Sequence, residues 1–271
     1  MKNKIFFVFV VMMALNGCSQ QTTEKPIIEK KTLKQQKMKV EIWSDVMCPF
    51  CYIGKRKFEN ALQQFKNKAD VEIIWKSFQL NPNMKTEPNK SINQYLAETK
   101  GWTLDYAKEM NTYVSDMAKE VGLTYHLDKA IVANSFDAHR LIQLAKKNGL
   151  GDLAEEHLFK AYFTEGKNTA DKNVLMELGL SIGLKKEQLT QLFNSQDYSK
   201  EVIADLQEAE QLKISGVPFF VFDRKYAVSG AQNPEVFLDT LNKAWDNYSK
   251  NNPLIINNPD GKVCAPDGTC E

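Results

Sequence analysis

The chain has 271 residues, and 43% of them are hydrophobic, enough to bury a core without help from disulfides. Its 35 lysines and arginines nearly cancel its 34 aspartates and glutamates, which argues against the basic footprint of a nucleic-acid-binding protein. There is no glycine-rich phosphate loop and no internal repeat, and the only five cysteines are Cys18, Cys48, Cys51, Cys264 and Cys270.

The first stretch, MKNKIFFVFVVMMALNGCSQ, sets Lys2 and Lys4 ahead of an apolar run over 5–15, with Gly17 and Cys18 after it. This is the pattern of a secretion signal, too short for a lasting transmembrane anchor. LNGC resembles a bacterial lipobox, which implies that Cys18 becomes the first mature residue and carries lipid through its sulfur. Asn16 is less usual there, so an ordinary cleaved signal stays open, although no A-x-A-like site is found. The expectation is a lipoprotein-type signal peptide over 1–17 and a polar tether over 18–37. The protein would then be exported and lipid-anchored at the periplasmic face of a bacterial membrane. Thiols outside the cytoplasm can be oxidised and stay so, and the four cysteines besides Cys18 favour two pairs.

Folded structure is expected from Met38. KVEIWS has the β-branched and aromatic residues of a strand, and PFCYIGKRKFENALQQF repeats Phe58, Ala61, Leu62 and Phe65 at helical spacing. VEIIWKSF, apolar on both faces, predicts a strand inside a covered parallel sheet. Together these make a βαβ unit with Cys48 and Cys51 at its first strand-to-helix junction. From 89 to 212 only helical patterns are found. TLDYAKEMNTYVSDMAKEVG starts on a capping Thr103 and stops at Gly122. Further helices are predicted at SFDAHRLIQLAKKNG, DLAEEHLFKAYFTEG, DKNVLMELGLSIG and DYSKEVIADLQEAEQL. VPFFVFD and KYAVSG then predict a hairpin, and NPEVFLDTLNKAWDNY a helix with Asn233 at its N-cap and Pro234 at its first position. The tail, SKNNPLIINNPDGKVCAPDGTCE, is rich in turn residues.

The order βαβ, helices, ββα predicts an α/β chain of thioredoxin-like fold with a large α-helical insertion domain. Residues 38–82 and 213–250 would form the thioredoxin-like domain, 83–212 the insertion, and 251–271 a cysteine-containing tail.

SDVMCPFCYIG puts Cys48 at the start of the first helix, where unpaired backbone N–H groups and the helix dipole favour thiolate over thiol. Pro49 falls in the first turn, and Cys51 lies one turn deeper on the same face, a separation at which a disulfide can close. The spacing points to thiol exchange, the more exposed Cys48 forming the mixed disulfide and Cys51 resolving it. Zinc is disfavoured, because its other ligands would have to come from Cys264 and Cys270 at a different spacing or from three scattered histidines. A structural staple is disfavoured as well, since so small a loop constrains the unfolded chain little. The expected chemistry needs no metal and no cofactor beyond the redox-active disulfide, which would exchange with glutathione or a partner thiol protein.

These residues carry a resemblance. Cys48-Pro49-Phe50-Cys51 after a strand, the helical insertion, and Val217-Pro218 before the third strand resemble the DsbA family of thiol–disulfide oxidoreductases. SDVMCPFCYIGKRKFE, FQLNP, NSFDAHRLIQLA, LFKAYFTEG, SGVPFFVFDRKYAVSGAQ and the tail cysteines are similar to its FrnE-like subgroup. The resemblance implies a cis peptide bond at Pro218 lying against the Cys48–Cys51 pair, with the Val217 backbone free to pair with a substrate strand and Pro49 and Phe50 beside it. It also implies cysteine-containing protein substrates and a redox partner. Phe50 departs from the pattern, since the subgroup often has Trp there and strong oxidants of the wider family have His. The thiolate thereby lacks one partner, and the direction of the reaction stays open.

Cys264 and Cys270 flank the turn-forming APDGT, and both a local staple and a second redox pair remain open for them. His139 is expected to be a satisfied structural histidine, and Phe219, Phe220 and Phe222 to be core. Asp45 is either a loop residue or a charge close enough to Cys48 to oppose its thiolate. SGAQ, over 229–232, joins strand to helix, near the site's rim by the family resemblance. Two other functions are weighed. One is a glutathione-dependent isomerase of small aromatic compounds, of 2-hydroxychromene-2-carboxylate isomerase type, which the intact cysteine pair counts against. The other is a non-catalytic, peptide-binding surface lipoprotein with structural disulfides.

Overall fold

The structure is a computed structural model that describes residues 37–252. The expected signal, Cys18, the tether up to residue 36, and the tail with Cys264 and Cys270 lie outside the described residues. In chain order, β1 (Met38–Ser44), α1 (Pro49–Gln64) and β2 (Val71–Ser77) form the βαβ unit. They are followed by β3 (Glu87–Ser91), α2 (Ile92–Lys100), α3 (Leu104–Glu120), β4 (Ile131–Val132), α4 (Phe136–Lys147) and α5 (Gly151–Phe159). A π-helical turn at Lys160–Thr164 extends α5, and α6 (Lys172–Ser181), α7 (Lys186–Asn194) and α8 (Ser199–Gln211) come next. The chain returns to the sheet with β5 (Phe219–Phe222) and β6 (Tyr226–Ser229) and closes on α9 (Pro234–Asn251).

The main sheet has four strands in the order β2, β1, β5, β6. β1 runs parallel to β2, with Val40 opposite Ile73, and antiparallel to β5, with Ile42 opposite Phe220. Residues 43 and 219 thus meet across a strand pair that the chain reaches only after the whole helical excursion. β1 is buried at every position except Lys39 because both faces of the sheet are covered. Met38, Val40 and Ile42 share a core with Phe58 of α1, Phe220, Phe222 and Phe237 of α9. The Phe58 ring meets those three phenylalanine rings at 5.5, 6.1 and 5.8 Å between centroids. Each such side chain contributes about 1.5–3 kcal/mol on burial, so this cluster fixes α1, and the cysteines at its start, against the sheet. On the opposite face Trp43 packs with Ala209, Ile214 and Val221, and its indole N–H donates to the Asp205 carbonyl of α8 at 3.1 Å.

Two sequence signals give way to tertiary context. β2 was expected inside the sheet, but it is an edge strand. Its apolar residues are matched instead by α4, α5 and α8, which pack around it. The stretch expected to be wholly helical contains a small antiparallel ribbon, β3 with β4, that pairs Glu87 with Val132. The residues of β3 are EPNKS, which carry no strand propensity, so the ribbon is a consequence of packing. The hairpin joining β5 to β6 turns at Asp223 and Arg224, both in the left-handed region (φ 47° and 55°), the backbone that matches strand twist. Of the three phenylalanines expected in the core, Phe220 and Phe222 are fully buried and Phe219 only partly.

Candidate active site at the start of the first helix

β1 ends at Ser44, and a tight turn carries the chain into α1. The Cys48 amide donates to the Asp45 carbonyl at 2.9 Å, and Cys48 becomes the N-cap of α1 in extended conformation (φ −87°, ψ 110°) with Pro49 at the first helical position. Asp45 holds this turn with its side chain as well, accepting from the Met47 amide at 3.3 Å and the Leu80 amide at 2.8 Å. No acidic residue lies in the first turn of α1 itself, so the nearest carboxylate on this segment is that of Asp45, three residues before Cys48.

Both cysteines are free thiols and both are buried, Cys48 at 3% exposure and Cys51 at 1%. The expected contrast in exposure is therefore slight. What separates them is surroundings: the Cys48 Sγ–H donates to the Val217 carbonyl at 3.4 Å, at the mouth of the site beside Phe50, which is 38% exposed. Cys51 points inward. Burial, followed by the hydrogen bond and charge of Cys48, pushes its pKa well above the usual thiol range. Between the two, Cys48 is the sulfur that borders the segment carrying the cis bond.

The opposite wall is the segment before β5. The Val217–Pro218 peptide bond is cis. Pro218 lies so near α1 that a Cβ on Gly54 would sit 2.9 Å from its ring and 3.5 Å from Ala231. Residues 229–232 close over the same place: the Gly230 amide donates to the Pro218 carbonyl at 2.8 Å, and Lys57 Nζ to the Ala231 carbonyl at 3.3 Å. The rim position expected for SGAQ thus has a concrete form.

Beneath the motif stands an aromatic wall. Tyr52 stacks on Phe159 at 4.9 Å, and Tyr125 on Phe163 at 4.7 Å. The Tyr125 hydroxyl donates to the Pro49 carbonyl at 2.8 Å, tying the helical block to the first turn of α1. Its pKa is pushed up by burial and by the nearby charge of Cys48. One turn on, Lys55 pairs with Glu59, with Glu156 at 3.1 Å and with Asp152 at 3.4 Å, while Arg56 pairs with Glu59 and Glu156. Burial disfavours the charge on Lys55, but the carboxylates outweigh it and hold its pKa above the ordinary value. This cluster fixes α1 to α5 behind the cysteines.

The structure brings Cys48, Pro49, Phe50, Cys51, Val217 and Pro218 together at the start of α1. His139 departs from expectation. It is fully buried, and neither ring nitrogen has a hydrogen-bond partner; its Nε2 lies 3.5 Å from Asp45 Oδ1. Asp45 is buried too, so it is no ordinary loop residue. Gly54 and Tyr125 escaped the sequence reading. A glycine inside an amphipathic helical pattern is a signal of close approach and marks Gly54, whereas nothing in its surroundings, LTYHL, marks Tyr125. Among the described residues no group of three or more His, Cys, Asp or Glu side chains could hold a metal ion.

Comparison with known proteins agrees with this geometry. The Bacillus subtilis protein YwbO is 27% identical over 203 residues, 73% of this chain and 92% of that one. The crystal structure of a probable DsbA oxidoreductase from Streptomyces coelicolor superposes with a TM-score of 0.73 at 35% identity, covering 86% of this chain and 98% of that one. The cytosolic disulfide reductase DsbM from Pseudomonas aeruginosa shares the fold at 16% identity, with a TM-score of 0.51 over 79% of this chain and 98% of that one. Residues 39–242 match the DSBA-like thioredoxin domain, a match to the domain as a whole that does not single out a FrnE-like subgroup. With that match spanning most of the chain and the cysteine pair at its expected place, the protein belongs to the DSBA-like thioredoxin domain family and is a disulfide oxidoreductase whose redox chemistry runs through cysteine.

Proposed function

We propose that the protein is an exported, lipid-anchored oxidoreductase of protein thiols, with Cys48 as the exchanging sulfur and Cys51 as the resolving one. The observation that carries this is the Cys48 thiol, seated at a helix N-terminus and directed at the Val217 carbonyl beside Pro218. In the oxidising direction, a substrate thiolate attacks Sγ of Cys48 in the disulfide, and Cys51 leaves as a thiolate that takes up a proton. A second substrate thiolate then attacks the substrate sulfur of the mixed disulfide and expels Cys48. The substrate leaves with a disulfide, and its two electrons stay on Cys48 and Cys51 until a redox partner removes them. The reducing direction is the same sequence reversed.

Val217, Pro49 and Phe50 border the sulfur and are the surfaces a substrate strand would meet. Export and the anchor at Cys18 rest on the N-terminal sequence alone, and with them the periplasmic location. Cys264 and Cys270 would serve as a staple or as a second pair exchanging with Cys48–Cys51. A buried second thiol has no part in isomerising a small aromatic compound, so Cys51 favours redox exchange over that alternative.

The deciding experiment is the equilibrium of Cys48–Cys51 with glutathione, in protein lacking residues 1–18 and carrying serine at 264 and 270. A potential from about −120 to about −180 mV supports a donor or shuffler of disulfides, and one near about −270 mV a reductase. A pair that never equilibrates would leave the protein as a binding module with structural disulfides.

A further inference from the structure

Asp45 is 2% exposed, and His139, on α4, is not exposed at all. A carboxylate withdrawn from water needs partners. Two of them are amides: Met47 N, one residue before Cys48, and Leu80 N, in the segment after β2. The third neighbour is His139, whose Nε2 stands 3.5 Å from Oδ1 and which has no hydrogen-bond partner on either ring nitrogen. Charged and titratable groups from other elements also face this place. Asp45 acts on Glu155 of α5 and on Tyr162 of the π-helical turn, and the Asp45 backbone reaches the Cys51 sulfur. None of these offsets a negative charge on Asp45.

We propose that His139 is a positioning residue for the cysteine chemistry, acting through Asp45: it offsets the carboxylate behind Cys48 and keeps it on the Met47 and Leu80 amides. The inference rests on the oxidoreductase reading of Cys48. The physical chain is short. A bare carboxylate at the turn projects negative potential onto the helix N-terminus and opposes the Cys48 thiolate. The His139 ring answers it with an N–H donor or, when protonated, a positive charge. Because the carbonyl of Asp45 also receives the Cys48 amide, a loosened Asp45 would shift the sulfur itself.

The test is the pH profile of alkylation at Cys48, read by peptide mass on the reduced full chain, in four forms: unmodified, His139→Leu, Asp45→Asn and the double variant. His139→Leu is expected to lower the thiolate fraction at a fixed pH below the midpoint by roughly three- to tenfold, and to do so only where Asp45 is present. An unchanged profile, or an equal shift with and without the carboxylate, overturns the proposal, since a merely structural histidine alters stability and is indifferent to Asp45. His139→Met, read by the same criteria, serves if the leucine variant does not fold. Failure of the unmodified protein to equilibrate with glutathione would instead remove the oxidoreductase reading, and the alkylation profile would still report on the His139–Asp45 coupling.

Discussion

The thiol of Cys48 donates to the carbonyl of Val217 at 3.4 Å, although 169 positions of sequence separate the two residues. That contact divides the labour of the cysteines. Cys48→Ser is expected to reduce exchange with glutathione to the background rate. Cys51→Ser is expected to accumulate a mixed disulfide at Cys48, because the thiol that would expel the substrate is gone. Mass spectrometry of each variant after incubation with oxidised glutathione checks both, and an adduct on Cys51 rather than Cys48 would reverse the assignment.

At Gly54 the Pro218 loop comes close against α1. A methyl group there would meet the Pro218 ring at 2.9 Å, too close for an ordinary contact. Gly54→Ala gains helix propensity but must push the loop away, at a cost of about 1–3 kcal/mol. The expected result is a lower denaturant midpoint together with slower exchange at Cys48. An alanine variant as stable and as fast as the parent would show that the loop yields freely.

Glu155 is wholly buried, and burial lifts its pKa from 4.5 to about 8. Between those values the folded protein keeps a proton that the unfolded chain has lost, so its contribution to stability falls as pH rises through that window and is flat above it. Glu155→Gln should remove this slope: parent and variant alike near pH 5, the variant more stable by a few kcal/mol at most near pH 8.5. Urea midpoints at the two pH values measure it, and parallel curves would refute it.

Phe50 sits between the cysteines, 38% exposed, and offers the Cys48 thiolate no polar partner. Phe50→His supplies one. The reduced form should gain stability, shifting the equilibrium with glutathione by roughly tenfold, or about 30 mV toward a stronger oxidant. A shift in the opposite sense would mean that the added ring does not reach the sulfur.

Much of the architecture was legible because it depends on local signals. The apolar content of β1, the capping Thr103, Pro234 at the first position of α9 after Asn233, and the glycines that close helices all act within a few residues. The cysteine pair was legible for the same reason. What escaped depends on distant partners. The β3–β4 ribbon joins polar residues of one segment to two residues of another, and α7 follows a lysine N-cap that gives no start signal. Tyr125 reaches Pro49 across 76 positions and His139 lies against Asp45 from α4, so neither pairing leaves a mark on spacing.

The position of β1 has a consequence for how the protein is made. Its neighbour β2 follows within the same opening unit, but its other neighbour, β5, begins only at Phe219, and Val217 comes with it. As the chain emerges from its N-terminal end, Cys48 and Cys51 appear early, and Val217 of the wall opposite them follows only 169 positions after Cys48. During that interval the carbonyl that receives the Cys48 thiol is not yet beside it. The pair is therefore made long before its site is.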